Sequence, residues 1–263
     1  MLEERYIRLV SDLHFSPGQR YKPVPLEEDW DSLLLVAGDL GDYETALTWL
    51  TQMSNRFSQV VVVLGNHDFY NHQQMSHQQK LANWRNDISR IEGCVLLENE
   101  QLEWQGLRVI GSSLWTDFED DEKKMQAALE MADYRRIFNE NGEKVTPLET
   151  QKWHRDSLEY IAKALDESHL PSIVVTHHSP TWRCVTNPDY QRSLLTHAYV
   201  TELEAFMRKH QPLLWCYGHT HEAFKKYLGS TLVLSNPHGF ALQYTGFVYD
   251  QQIVISGNEC ITR

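Results

Sequence analysis

Five short polar clusters, each directly after an apolar run, limit what this chain can fold into more than any other feature. They are Asp12-Leu13-His14, Gly38-Asp39, Gly65-Asn66-His67-Asp68, Thr176-His177-His178 and Gly218-His219-Thr220-His221. The runs before them (6–10, 33–36, 60–64, 173–175 and 213–216) are short and rich in β-branched residues, as strands buried on both faces are. Asp12, Asp39 and Asn66 recur every 27 residues, a length that fits a strand and its crossover. The pattern is that of an α/β protein with Asp, Asn and His at the mouths of strands, where such proteins assemble their sites.

Helical patterns fill the gaps. Segment 43–57 places Leu47, Leu50 and Phe57 near one face, and 73–91 does the same with Leu81, Trp84, Ile88 and Ile91. Thr146-Pro147-Leu148-Glu149 offers an N-cap, a first-turn proline and a glutamate three residues on, so a long helix is expected from there to Pro171. A further helix is expected over 198–210. Segments 95–113 and 231–255 alternate in polarity and read as strands joined by hairpins. The charged stretch 115–144, helical around 124–131, reads as an excursion near the site. With no repeat and no linker, residues 1–263 are expected to form one domain.

The N-terminus has no basic region followed by an apolar stretch, so no signal peptide is expected, and no apolar run is long enough to span a membrane. The four cysteines are far apart and form no CxxC pair. They read as reduced, buried thiols, which fits a cytoplasmic location. A formal net charge of −12 argues against a nucleic-acid partner. It does not exclude a small anionic substrate, because two divalent cations would reverse the local field.

The clusters supply Asp12, His14, Asp39, Asn66, His177, His219 and His221, the oxygen and nitrogen donors that a pair of divalent metals takes. In an extended segment, side chains at i and i+2 share a face. That spacing would point Asp12 with His14, and His219 with His221, into one cleft. A single central carboxylate, Asp39, could bridge two metals about 3.5–4 Å apart.

The ordered series DxH, GDxxD, GNHD, THHSP and GHTH resembles the calcineurin-like metallophosphoesterase superfamily, from Asp12 to His221. The resemblance implies a four-layer α/β/β/α sandwich of two mixed sheets flanked by helices. It implies one metal on Asp12, His14, Asp39 and His221 and another on Asp39, Asn66, His177 and His219. The metals would be Mn, Fe, Zn or Ni, and the nucleophile a hydroxide bridging them. His67 would protonate the leaving group of a small phosphoester, mono- or diester and nucleotide-like among the options, with Asp42 orienting its ring. Asp68 reads as a structural residue that fixes its loop through backbone hydrogen bonds.

Beyond the motifs, His178, Arg183 and His238 are the first candidates for touching substrate, with Trp115, Arg135, Arg136, Trp182, Tyr190 and Arg192 behind them as aromatic and arginine side chains in the connecting segments. No Arg-Gly follows Asp42, where the family's serine/threonine protein phosphatases carry one. Position 67 is His, where its UDP-diacylglucosamine hydrolases carry Arg. A partner-binding scaffold without turnover and a phosphoanhydride hydrolase are the alternative functions. Oligomeric state is not encoded in any of these features.

Overall fold

The computed structural model describes residues 4–19, 21, 23–257 and 259–263. Two six-stranded sheets stack face to face. In the first, β11 (Ile253–Ser256), β1 (Glu4–Val10), β2 (Leu33–Ala37), β3 (Gln59–Val63) and β4 (Cys94–Leu96) lie side by side, with β12 (Glu259–Thr262) outside β11. In the second, the order is β5 (Glu100–Trp104), β6 (Leu107–Ser112), β7 (Ser172–Thr176), β8 (Leu214–Tyr217), β10 (Thr231–Ser235) and β9 (Phe224–Leu228). Strands β1 to β4 are parallel, as are β6, β7, β8 and β10, while the outer hairpins run antiparallel. The parallel centres bring all five clusters to the same carboxyl-terminal edge.

Alternation within each strand separates the layers. Leu33 and Leu35 of β2, with Val61 and Val63 of β3, face Ile173, Val175, Leu214 and Leu232 of the other sheet in a shared core. Leu34, Val36, Val60 and Val62 turn outward onto α1 (Tyr43–Ser54) and α2 (His77–Ile88). Val174, Trp215 and Val233 turn outward onto α5 (Pro147–Asp166) and α7 (Glu204–His210). The outcome is the expected helix/sheet/sheet/helix sandwich. The four cysteines are free and buried, as expected. Among the described residues no helix is long and apolar enough to cross a membrane.

Local chemistry sets several boundaries. Thr146 accepts from the Glu149 N–H while the Glu149 carboxylate accepts from the Thr146 N–H, so α5 starts where its capping box predicts. Helix α1 stops at Ser54, short of Phe57, and α2 starts at His77 because Ser76 and Gln79 cap it. Instead of one helix over 198–210 there is a 3-10 turn, Leu194–Ala198, and then α7. The excursion carries α3 (Asp121–Glu130) and the single turn α4 (Asp133–Arg136); a further single turn, α6 (Pro188–Gln191), follows β7.

Two strand expectations need correction. Segment 95–113 holds a hairpin, but β4 stays in the first sheet and only β5 and β6 pair with each other. Segment 231–255 is not a hairpin, since β10 belongs to the second sheet and β11 to the first. The chain between them crosses the edge of the sandwich. There the Asn236 amide donates to the carbonyls of Leu9 and Val248. The N–H groups of His238 and Gly239 donate to the carbonyls of Ser11 and Asp12. Alternation alone cannot tell which sheet a strand will join.

Near the amino-terminal strand, buried Asp29 receives charge-assisted hydrogen bonds from the guanidinium groups of Arg8 and Arg56. Replacing Asp29 with Ala leaves Arg8 buried beside no counter-charge. We expect Asp29→Ala to lose about 3–5 kcal/mol of unfolding free energy in urea titrations. A change below about 1 kcal/mol, at the level of an exposed pair, would show that these arginines are solvated.

Candidate metal centre

The carboxyl ends of β1, β2 and β3 meet those of β7 and β8, and the five clusters close on one another there. Asp12, His14, Asp39 and His221 form one group of donor atoms, and Asp39, His177 and His219 a second; within each, the donors lie within 4.8 Å of one another. Asp39 belongs to both. Its Oδ2 is 3.6 Å from Nε2 of His14, and its Oδ1 is 3.4 Å from Nε2 of His177. The amide oxygen of Asn66 joins the second group, 3.1 Å from Nε2 of His177.

The local backbone differs from the extended geometry inferred from spacing. Asp12, His14, Asp39, His219 and His221 all have positive φ, between 43° and 69°. The i, i+2 pairs therefore converge through left-handed turns rather than along one face of a strand. Asp and His tolerate that region better than most residues, yet it still costs about 1–3 kcal/mol per residue. Packing holds it in place. Nothing but hydrogen fits at Gly65, where a Cβ would stand 2.1 Å from Oδ1 of Asp39. At Gly38, also at positive φ, a Cβ would stand 2.3 Å from Nδ1 of His177.

One carboxylate joins two of the loops. Asp68 accepts from the N–H groups of Asp39 (2.9 Å), Leu40 (2.9 Å), Gly41 (3.3 Å) and Gly65 (2.8 Å). This is the loop-fixing role expected for it. Asp12 likewise accepts the N–H of His219 and so ties the β1 loop to the β8 loop.

The donor set fits cations. Nδ1 of His177 lies 2.9 Å from the Ala37 carbonyl, which fixes the proton there and leaves a lone pair on Nε2. That lone pair faces the oxygens of Asn66 and Asp39, which are also acceptors. The Asn66 amide cannot be flipped to donate, because its Nδ2 already donates to Asp133 (2.7 Å) and to the Tyr70 hydroxyl (3.1 Å). Nδ1 of His219 lies 3.1 Å from Nε2 of His177, and the buried Nε2 of His219 has no hydrogen-bond partner among the described residues, so oxygen and nitrogen ligand atoms crowd together as they do around a positive ion. Burial pushes the His14 imidazole down to about 3 and the His219 imidazole well below its usual range, so both are neutral donors.

Charge within the set points the same way. Burial pushes the Asp39 carboxyl up to about 8, reinforced by Asp68 and Asp12 and opposed by His177. Burial alone would push His221 down, but its hydrogen bond to Asp12 and that carboxylate's charge lift it to about 9. Burial at Asp39 and the Asp12 carboxylate beside His221 both favour the protonated forms, so protons compete with a cation for this set.

Around the set, His67 is third-exposed, with Nε2 4.0 Å from Oδ2 of Asp39 and its own N–H donated to Oδ1 of the same carboxylate. Burial pushes its imidazole down, with Asp133 and Asp68 opposing. Asp42 does not reach it. Its Oδ1 caps α1, accepting the N–H and hydroxyl of Thr45.

None of the three substrate candidates is among the residues lining the cleft beside the set. His178 is fully buried behind the set, bonded to the Ser113 carbonyl and packed on His219. His238 packs against Tyr21 and Phe247. Arg183 is turned onto Glu204.

Sequence reasoning missed other residues that touch the set. Phe240 stacks on His14 with ring centres 4.1 Å apart, and Tyr199 stacks on His219 at 4.6 Å. Oε1 of Gln243 lies 2.7 Å from Nδ1 of His221. Asp133 and Tyr70 orient Asn66. Tyr70 follows the GNHD string closely, but Asp133, Tyr199, Phe240 and Gln243 come from connecting segments with no pattern to flag them. A cleft of about 490 Å³ opens from Asp39, Asn66, His67, His219 and His221 to solvent.

A family model described as calcineurin-like phosphoesterase matches residues 6–223. The chain belongs to the calcineurin-like phosphoesterase family. It is 27% identical to an uncharacterized protein of Acanthamoeba polyphaga mimivirus over 270 residues, covering 92% of this chain and 94% of the relative. Among solved structures it resembles the phosphopantetheinyl hydrolase of Mycobacterium tuberculosis, with TM-score 0.66 and 18% identity over 92% of this chain and 94% of that one. It also resembles the purple acid phosphatase PPD1 of yellow lupin, with TM-score 0.51 and 12% identity over 100% of this chain and 52% of that one. At these identities the structural likenesses establish a shared fold. This phosphoesterase fold accounts for the two sheets and for the edge on which the clusters meet.

Two outcomes follow for the family member described here. Manganese affinity should rise as pH increases from 6 to 9, and binding at pH 7 should release protons, seen by calorimetry in buffers of different ionisation enthalpy. A flat affinity profile would mean that Asp39 and His221 are already deprotonated. Asp133→Ala should weaken metal affinity about 10- to 100-fold by freeing the Asn66 amide to flip, with far-UV dichroism unchanged; wild-type affinity would refute the orienting role.

Proposed function

We propose that this phosphoesterase hydrolyses a small phosphoester using two divalent cations. The observation that carries the proposal is the placement of Asp39, whose two oxygens face two separate donor groups. Asp12, His14, Asp39 and His221 would hold one ion, and Asp39, Asn66, His177 and His219 the other. Divalent ions in such a pair supply Lewis-acid stabilisation of phosphoryl charge and lower the proton affinity of water.

The protein's own groups do the rest. Asp68 holds the loops of Asp39 and Asn66 in one geometry, so no reorganisation is needed as charge develops. His67 stands over the shared carboxylate at the cleft surface, the place from which a side chain can reach the leaving oxygen. Protonated His67 donates from its ring nitrogen to that oxygen as the bond to phosphorus breaks. Phe240 and Tyr199 cover the His14 and His219 rings and keep water from their outer faces.

Asp39→Asn should abolish most hydrolysis of bis-nitrophenyl phosphate and reduce metal content in elemental analysis while the fold persists. Full turnover with both metals retained would defeat the shared-ligand role. His67→Ala should retain metal yet lose about 10²–10⁴ in kcat on an alkyl ester, and much less on a nitrophenyl ester, whose leaving group needs no proton. Equal losses on both would argue against proton donation.

A further inference from the structure

We infer that the cleft selects esters bearing one phosphoryl group on an uncharged, largely apolar alcohol, and that it rejects leaving groups carrying a second phosphate. The inference rests on the phosphoesterase reading and adds the leaving-group class. Away from the donor set, the cleft is walled by Met131, Val185, Tyr190, Leu195 and Tyr199. Tyr199 begins that wall against His219, and Tyr190, 62% exposed, carries it to the surface. Apolar and aromatic walls with a few polar groups are the lining of a site for an organic group of modest size, and about 490 Å³ suits one.

Charge supports the same class. The charged residues that line this part of the cleft are Glu130 and Glu222, both carboxylates. Among the described residues no Lys or Arg lines it. Three nearby arginines are committed elsewhere, and Arg192, beside Ser193, is exposed and does not line the cleft. Arg183 pairs with Glu204, Arg135 donates to the carbonyls of Leu129 and Glu130, and Arg136 lies over the Tyr70 ring. A second phosphate on the leaving group would meet two carboxylates in the cleft wall and no Lys or Arg there. The single phosphoryl group at the donor set is the one anion this site is built to hold.

The test uses the manganese-loaded full chain and two matched pairs of esters. 1-Naphthyl phosphate is expected to exceed phenyl phosphate in kcat/KM by about tenfold or more. Adenosine 5′-monophosphate is expected to exceed adenosine 3′,5′-bisphosphate at the 5′ ester by a similar factor. Glu222→Lys should shrink the second ratio. A bisphosphate cleaved as well as the monophosphate, or no advantage for naphthyl over phenyl, overturns the inference and leaves phosphoester hydrolysis intact. Calorimetry of 1-naphthylmethylphosphonate against methylphosphonate separates the two readings, because neither has an ester to cleave. No turnover of any ester, combined with tighter naphthyl binding, refutes the hydrolase reading while the selectivity stands. No turnover with equal binding refutes both.

Discussion

The carboxylate of Asp68 joins the loop after β2 to the loop after β3, and the candidate centre depends on that junction. Four backbone N–H groups converge on it, from Asp39, Leu40, Gly41 and Gly65. These amides belong to turns that could not bond to a neighbouring strand, and without Asp68 they would be buried and unpaired. Once they are gathered, Asp39 sits between the two donor groups and Asn66 is brought beside His177. The loop after β1 is tied to the loop after β8 in the same way, by Asp12 accepting the His219 amide. The site is therefore held by its own backbone before any ion arrives, the preorganisation that electrostatic catalysis requires.

That rigidity has a conformational cost. Five of the side chains in the donor set sit on left-handed backbone, and close packing forbids a Cβ at Gly38 and Gly65. The hydrophobic layers offset this strain. β2 and β3 are buried on both faces, one against the opposing sheet and the other against α1 and α2. A core that cannot deform locally can hold strained turns at its edge, and the strained turns lie where function does.

The connecting segments set the chemistry at the cleft mouth. The excursion after β6 delivers Asp133 behind Asn66 and Met131 to the cleft wall. The crossing from β10 to β11 delivers Phe240 onto His14 and Gln243 onto His221. The segment after β7 contributes Tyr190, Leu195 and Tyr199. The strands thus present the donor set, and the loops decide which leaving group can approach it. Asp42 illustrates the limit of motif transfer. Its Oδ1 caps α1, and no hydrogen bond joins its carboxylate to His67.

The amino-acid sequence by itself determined the five buried strands that precede the clusters and the candidate donors gathered after them, because burial on both faces and ligand chemistry each leave a local pattern. It determined the start of α5 for the same reason, since a capping box is a contact between residues three apart. Tertiary structure alone decided that β10 and β11 lie in different sheets, that the ligand turns are left-handed, and that His178, Arg183 and His238 are not among the residues lining the cleft. It alone placed Asp133, Phe240, Gln243 and Tyr199 beside the donors. Those are contacts between residues far apart in the chain. Their geometry follows from how two twisted sheets and their crossovers pack, which no local pattern of residues encodes.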